Sequence, residues 1–72
     1  KIHLFPNPTQ TLFYISAPGF FSEYQLINAQ GQLMKNGTVD NNGIDVSDLN
    51  KGVYLVRLKV GNEFITKTLI KM

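Results

Sequence analysis

The chain has 72 residues, with seven Lys and Arg against five Asp and Glu and a formal charge of +2. So short a chain forms one small domain, leaves no room for a second core and is only marginally stable. It contains no cysteine, which removes disulfides and thiolate chemistry, so apolar packing and backbone hydrogen bonds must hold the fold. The charges are scattered and make no basic run that could follow a phosphate backbone, which argues against nucleic-acid binding. No apolar stretch approaches the ~18 residues of a membrane span, and the first residues lack the charged and apolar regions of a signal peptide. Residues 1–72 are therefore expected to be a single domain excised from a larger protein, with any export signal elsewhere and no membrane insertion of its own.

Short apolar runs rich in Ile, Val, Phe and Tyr recur between Gly, Asn and Pro, and none keeps a helical rhythm. The class is all-β. Strands are predicted at Ile2–Phe5, Leu12–Ser16, Glu23–Asn28, Gln32–Asn36, Gly43–Val46, Val53–Val60 and Glu63–Lys71, which suits a seven-stranded immunoglobulin-like antiparallel β-sandwich.

Pro6-Asn7-Pro8 ends the first strand, because each ring fixes φ and removes a ladder donor; the segment is expected to be a corner between strands. In the second strand, alternation separates Phe13 and Ile15 from Leu12 and Tyr14 without saying which pair is inward. Ala17-Pro18-Gly19 breaks the chain again. Of the adjacent Phe20 and Phe21, one must face away from the core if both lie in a strand, and it would be a contact point. Asn28-Ala29-Gln30-Gly31 is a hairpin turn with Gly31 at positive φ, and Leu26 and Leu33 are expected to pack on either side of it. Asn36 to Gly43, rich in Asn, Gly and Asp, is expected to be the most mobile loop.

From Ile44 to Val56 the chain joins two strands through a turn. Ile44, Val46 and Leu49 are its inward anchors, Ser47 and Asp48 can bond its backbone, and Gly52 allows positive φ before the next strand. Tyr54, Val56, Leu58 and Val60 share one face of the longest strand, with Arg57 and Lys59 on the other. Gly61-Asn62 can close a two-residue type II′ hairpin that sets Leu58 opposite Ile65 and Tyr54 opposite Leu69. A three-residue loop would instead bring Phe64 and Ile70 inward, since a one-residue slip inverts the strand.

No constellation for chemistry emerges. His3, the only histidine, sits in a strand before a proline corner and reads as an exposed strand residue. Asp40, Asp45 and Asp48 are better suited to local turn bonding than to acid–base work, which needs a carboxyl in an environment that shifts its pKa. Asp40-Asn41-Asn42-Gly43-Ile44-Asp45 lacks the ligand spacing of a calcium loop and no bidentate Glu follows. Asn36-Gly37-Thr38 fits a glycosylation sequon, a pattern short enough to arise by chance. No glycine loop leads into a helix that could cradle a phosphate. The aromatic residues are expected to fill the core rather than form a sugar platform. No catalytic residue, metal or cofactor is expected, and the chain is not expected to be an enzyme.

Taken together, Pro6-Asn7-Pro8-Thr9, Leu26-Ile27-Asn28-x-x-Gly31-x-Leu33, Ile44-Asp45-Val46-Ser47-x-Leu49-x-x-Gly52-x-Tyr54-x-Val56 and the terminal Lys67-x-x-x-Lys71 resemble the type A C-terminal sorting domain of the type IX (Por) secretion system. The similarity covers almost the whole chain, and its strength lies in the order and spacing of the turns. It favours Phe13 and Ile15 as the inward pair. The resemblance implies a cargo that crosses the inner membrane by the Sec route, transits the periplasm, and is directed through the outer membrane to the cell surface or beyond by this domain. It also implies recognition by an outer-membrane shuttle and translocon, and removal by a surface sortase that attaches the cargo to lipopolysaccharide.

On that basis the expected recognition residues are Lys67 and Lys71 in the exposed part of the last hairpin, Met72 with the chain end, and Asp48, Asn50, Lys51 and Gly52 in the preceding turn. The lysines also suit blocking of edge-to-edge aggregation, and an unprotected edge strand would allow self-association. The alternative function is an immunoglobulin-like accessory module, carbohydrate-binding or spacing, within a secreted enzyme.

Overall fold

A computed structural model describes residues 2–16, 23–39 and 43–72, and among them it contains seven strands and no helix. The strands are β1 (His3–Phe5), β2 (Leu12–Ser16), β3 (Glu23–Ile27), β4 (Leu33–Thr38), β5 (Ile44–Asp45), β6 (Gly52–Val60) and β7 (Glu63–Lys71). They form two antiparallel sheets, ordered β1-β2-β5 and β4-β3-β6-β7. All seven predicted strands are present, with half of their ends shifted by a residue or two.

One apolar cluster joins the sheets. Phe13, Ile44 and Val46 contribute from the three-stranded side, and Tyr24, Leu26, Tyr54, Val56, Leu58 and Leu69 from the four-stranded side. Strand alternation explains this membership: Tyr54, Val56 and Leu58 are buried while Val53 and Leu55 are exposed, because successive side chains point to opposite faces. The inward pair of β2 is Phe13, fully buried, with Ile15 packed against the core beside its partner Leu4. On the other face of the same two strands, Phe5 and Tyr14 stack with ring centroids 5.5 Å apart.

The last hairpin takes the shorter loop. Leu58 lies opposite Ile65 and Tyr54 opposite Leu69. Gly61 has φ 61° and no residue other than glycine has positive φ among those described, as a type II′ turn requires.

Two expectations are corrected. Leu33 is 53% exposed, because the Asn28 turn spans through Gln32 and sets Leu33 opposite Ile27, on the outer face, with a register shift between Leu26 and Ile27. Asn28 holds this turn with its side-chain oxygen, which accepts the amides of Gln30 and Gln32; Gly31 has φ 87°. Asn36, Gly37 and Thr38 belong to β4 and pair with Gln25, Tyr24 and Glu23, so the sequon lies on a strand. A side chain at position 37 would meet the Tyr24 ring at 3.3 Å, which explains a glycine inside a strand. The local turn bonding expected of the aspartates is made by Asp45, whose carboxylate accepts the Ser47 amide at 2.8 Å. The expectations for Ala17 to Gly19, Phe20, Phe21 and Asp40 to Asn42 lie outside the described residues.

Candidate recognition surface

β7 is an edge of the four-stranded sheet, and its two halves differ. Antiparallel pairing with β6 sends the peptide groups of alternate residues toward open space. At the C-terminal half those groups are occupied. The Asn7 side-chain amide donates to the Thr68 carbonyl at 2.9 Å, and its oxygen accepts the Ile70 amide at 2.9 Å. Thr9 continues the pairing: its amide donates to the Ile70 carbonyl at 2.9 Å and its carbonyl accepts the Met72 amide at 2.8 Å. Thr9 and Lys71 form a parallel bridge. Thr9 is fully buried and its hydroxyl donates to the Leu12 carbonyl, which fixes the segment against the start of β2. The proline corner is therefore also a cover for the last strand.

No such cover reaches the N-terminal half of β7 among the described residues. By the same alternation, Phe64 and Thr66 turn their peptide groups outward here. Arg57 lies over the Phe64 ring at 4.2 Å, a cation–π arrangement across the outer face of β6 and β7.

The two lysines share the inner face of β7 with Leu69, yet their surroundings differ. Lys67 is exposed opposite Val56. Lys71, expected on the exposed hairpin, is only 8% exposed, and its ammonium donates to the Met72 carbonyl at 3.0 Å. The neighbouring turn comes up against this end of the strand, since Gly52 pairs directly with Lys71. Gly52 has φ 152°, a conformation that other residues rarely adopt, and its Cα faces open space; backbone freedom is what the position needs. The Tyr54 hydroxyl donates to the Asn50 carbonyl at 2.6 Å, and Asp48 pairs with Lys35 of β4 at 3.1 Å. Asp48, Asn50, Lys51, Gly52 and Met72 are all exposed.

The structure thus brings Gly52, Lys71 and Met72 together and leaves Lys67 apart, while Asp48, through Lys35 of β4, lies toward the opposite edge of the sheet. Four residues along a strand at ~3.3 Å each put about 13 Å between the two lysine positions. Asn7, which sequence reasoning placed only in a corner, is the residue that ties this region to the front of the domain. Its partners lie 61 and 63 positions away, and no local pattern signals them.

Other chemistry is sparse. The Asp45 carboxyl is held below its ordinary pKa by hydrogen bonds from the Ser47 side chain and backbone, with a smaller contribution from Lys35. No group of His, Asp and Glu among the described residues could hold a metal ion. A shallow recess of about 270 Å³ between β3 and β4 is lined by Glu23, Tyr24, Gln25, Asn36, Gly37 and Thr38. The outer face of the large sheet carries Leu33, Leu55, Val53 and Ile70 exposed.

Comparison with curated proteins finds no match. The model of the secretion system C-terminal sorting domain family matches residues 3–72, nearly the full length, including both the Asn7 segment and the strand it covers. The chain belongs to the family of type IX secretion C-terminal sorting domains.

Proposed function

We propose that this domain is a folded surface signal, read by an outer-membrane shuttle and translocon as its cargo leaves the periplasm and crosses the outer membrane. The residues read are Met72 at the end of the last hairpin and Asp48, Asn50, Lys51 and Gly52 of the turn before β6, with Lys67 as a separate exposed charge; Lys71 is buried and acts by holding Met72 in place. A surface sortase then removes the domain and joins the cargo to lipopolysaccharide. The domain itself has no catalytic role and needs no cofactor.

The family match across residues 3–72 carries this reading. The pairing of Gly52 with Lys71 supports it, because it makes two distant segments one surface. The strand order and the hydroxyl of Tyr54 bonded four residues back, at the corner entering β6, support an immunoglobulin-like sandwich, in which a tyrosine at such a corner bonds the upstream backbone.

The test is a fusion of residues 1–72 behind a reporter exported to the periplasm of a strain carrying the secretion machinery. The intact fusion is expected to place the reporter at the cell surface or in the medium, and removal of residues 63–72 to retain it. A reporter retained by the intact fusion would sink the proposal.

A further inference from the structure

The Asn7 side chain behaves like a peptide unit of a missing strand. It has an NH2 donor and a carbonyl acceptor in one plane, and it places them on the Thr68 carbonyl and the Ile70 amide, the two groups that a neighbouring strand would bond. Pro6 and Pro8 on either side have no amide hydrogen and cannot lengthen the ladder. Thr9 then supplies true backbone pairing to Ile70 and Met72. Four hydrogen bonds therefore hold the last five residues from a segment near the opposite end of the sequence. Asn7 is exposed, and the groups it meets could be satisfied by water, so its net effect on folding is modest. What it controls strongly is where the chain end lies and whether another strand can add there.

We propose that Asn7 is a positioning residue of the sorting signal: with Thr9 it latches the Thr68–Met72 edge, so that the chain end is presented in one orientation and is closed to strand addition. This rests on the sorting function proposed above. The latch acts through the position of Lys71 and Met72, and Asn7 itself need not touch the machinery.

The test compares the wild-type domain with Asn7→Ala, Asn7→Asp and Val56→Ala in the reporter fusion, and measures amide exchange in the 72-residue chain. Val56→Ala weakens the core without touching the latch. Asn7→Ala is expected to speed exchange of the Ile70 amide about tenfold, the loss of one hydrogen bond, while amides of β3 keep their protection. Surface delivery per folded molecule is expected to fall severalfold in Asn7→Ala and to stay near wild type in Val56→Ala. Asn7→Asp keeps the acceptor for Ile70 and loses the donor to Thr68, so Ile70 stays protected and delivery is intermediate.

Three results would overturn the latch and leave the sorting function standing: unchanged Ile70 exchange in Asn7→Ala, faster exchange with wild-type delivery, or equal loss of delivery in Asn7→Ala and Val56→Ala. Should Asn7→Ala fail to fold, the contrast between Asn7→Asp and Val56→Ala decides, and equal delivery by those two overturns the latch. Failure of the wild-type fusion to deliver would overturn the sorting function and the latch with it.

Discussion

The two halves of β7 have similar sequence texture and opposite surroundings. From Glu63 to Lys67 the strand carries Phe64, Ile65 and Lys67, and its outer edge meets nothing among the described residues. From Thr68 to Met72 it carries Leu69, Ile70 and Lys71, and its edge is sealed by Asn7 and Thr9. Lys67 and Lys71 occupy equivalent positions in the alternation, yet one is exposed and the other buried. Position in a strand's rhythm sets which way a side chain points. What it meets depends on the segments that arrive from elsewhere.

The contrast can be broken most forcefully at Leu69. Leu69→Ala empties a fully buried site and is expected to cost about 3 kcal/mol, whereas Ile65→Ala in the open half, only partly buried, is expected to cost about 1 kcal/mol by lost apolar burial. Urea unfolding of the two variants checks the difference, and equal losses would show that both halves are packed alike.

A smaller effect is expected on the turn that abuts the sealed half. Tyr54→Phe removes the hydrogen bond to the Asn50 carbonyl and should lower stability by about 1 kcal/mol. Thermal unfolding measures it, and the amide protection of Gly52 and Lys71 should fall together because the two residues pair.

On the open half, Arg57→Ala removes the cation over Phe64. At this partly exposed site the expected loss is roughly 0.5 kcal/mol. A double-mutant cycle with Phe64→Ala isolates it, and no coupling between the two would mean that the ring and guanidinium do not interact in solution.

The least effect comes from pH. The Asp45 pKa is lowered by its bonds to Ser47, so its stabilising contribution is present above the carboxyl's ordinary pKa and is lost as pH falls through the depressed value. Asp45→Asn should flatten that acid limb of the stability curve while leaving the exchange behaviour of β7 unchanged. A change in Ile70 protection would instead link the turn to the latch.

Much of this organisation is written locally. Alternation along residues 52–60 places Tyr54, Val56 and Leu58 together, and of the two registers open at Gly61-Asn62 the fold takes the one closed by a two-residue turn with glycine first. The texture of Asn36-Gly37-Thr38 misled for a physical reason: Asn and Gly favour turns in isolation, but the Tyr24 ring lying over Gly37 makes a small residue the one that fits a strand there. Leu33 was misplaced because Asn28 bonds two amides across a longer turn and moves the partner strand by one position.

By itself, then, the sequence determined the class, the seven strands, the inward residues of the long strand and the family. The first three follow from interactions between residues close in the chain or from repeated alternation, and the family from the resemblance of its motifs and the match over residues 3–72. Tertiary structure alone decided which lysine is covered, that the Gly52 turn meets the end of β7, and that Asn7 closes its edge. Those outcomes depend on hydrogen-bonding groups some sixty residues apart, and only the folded sheets bring such groups within 3 Å of one another.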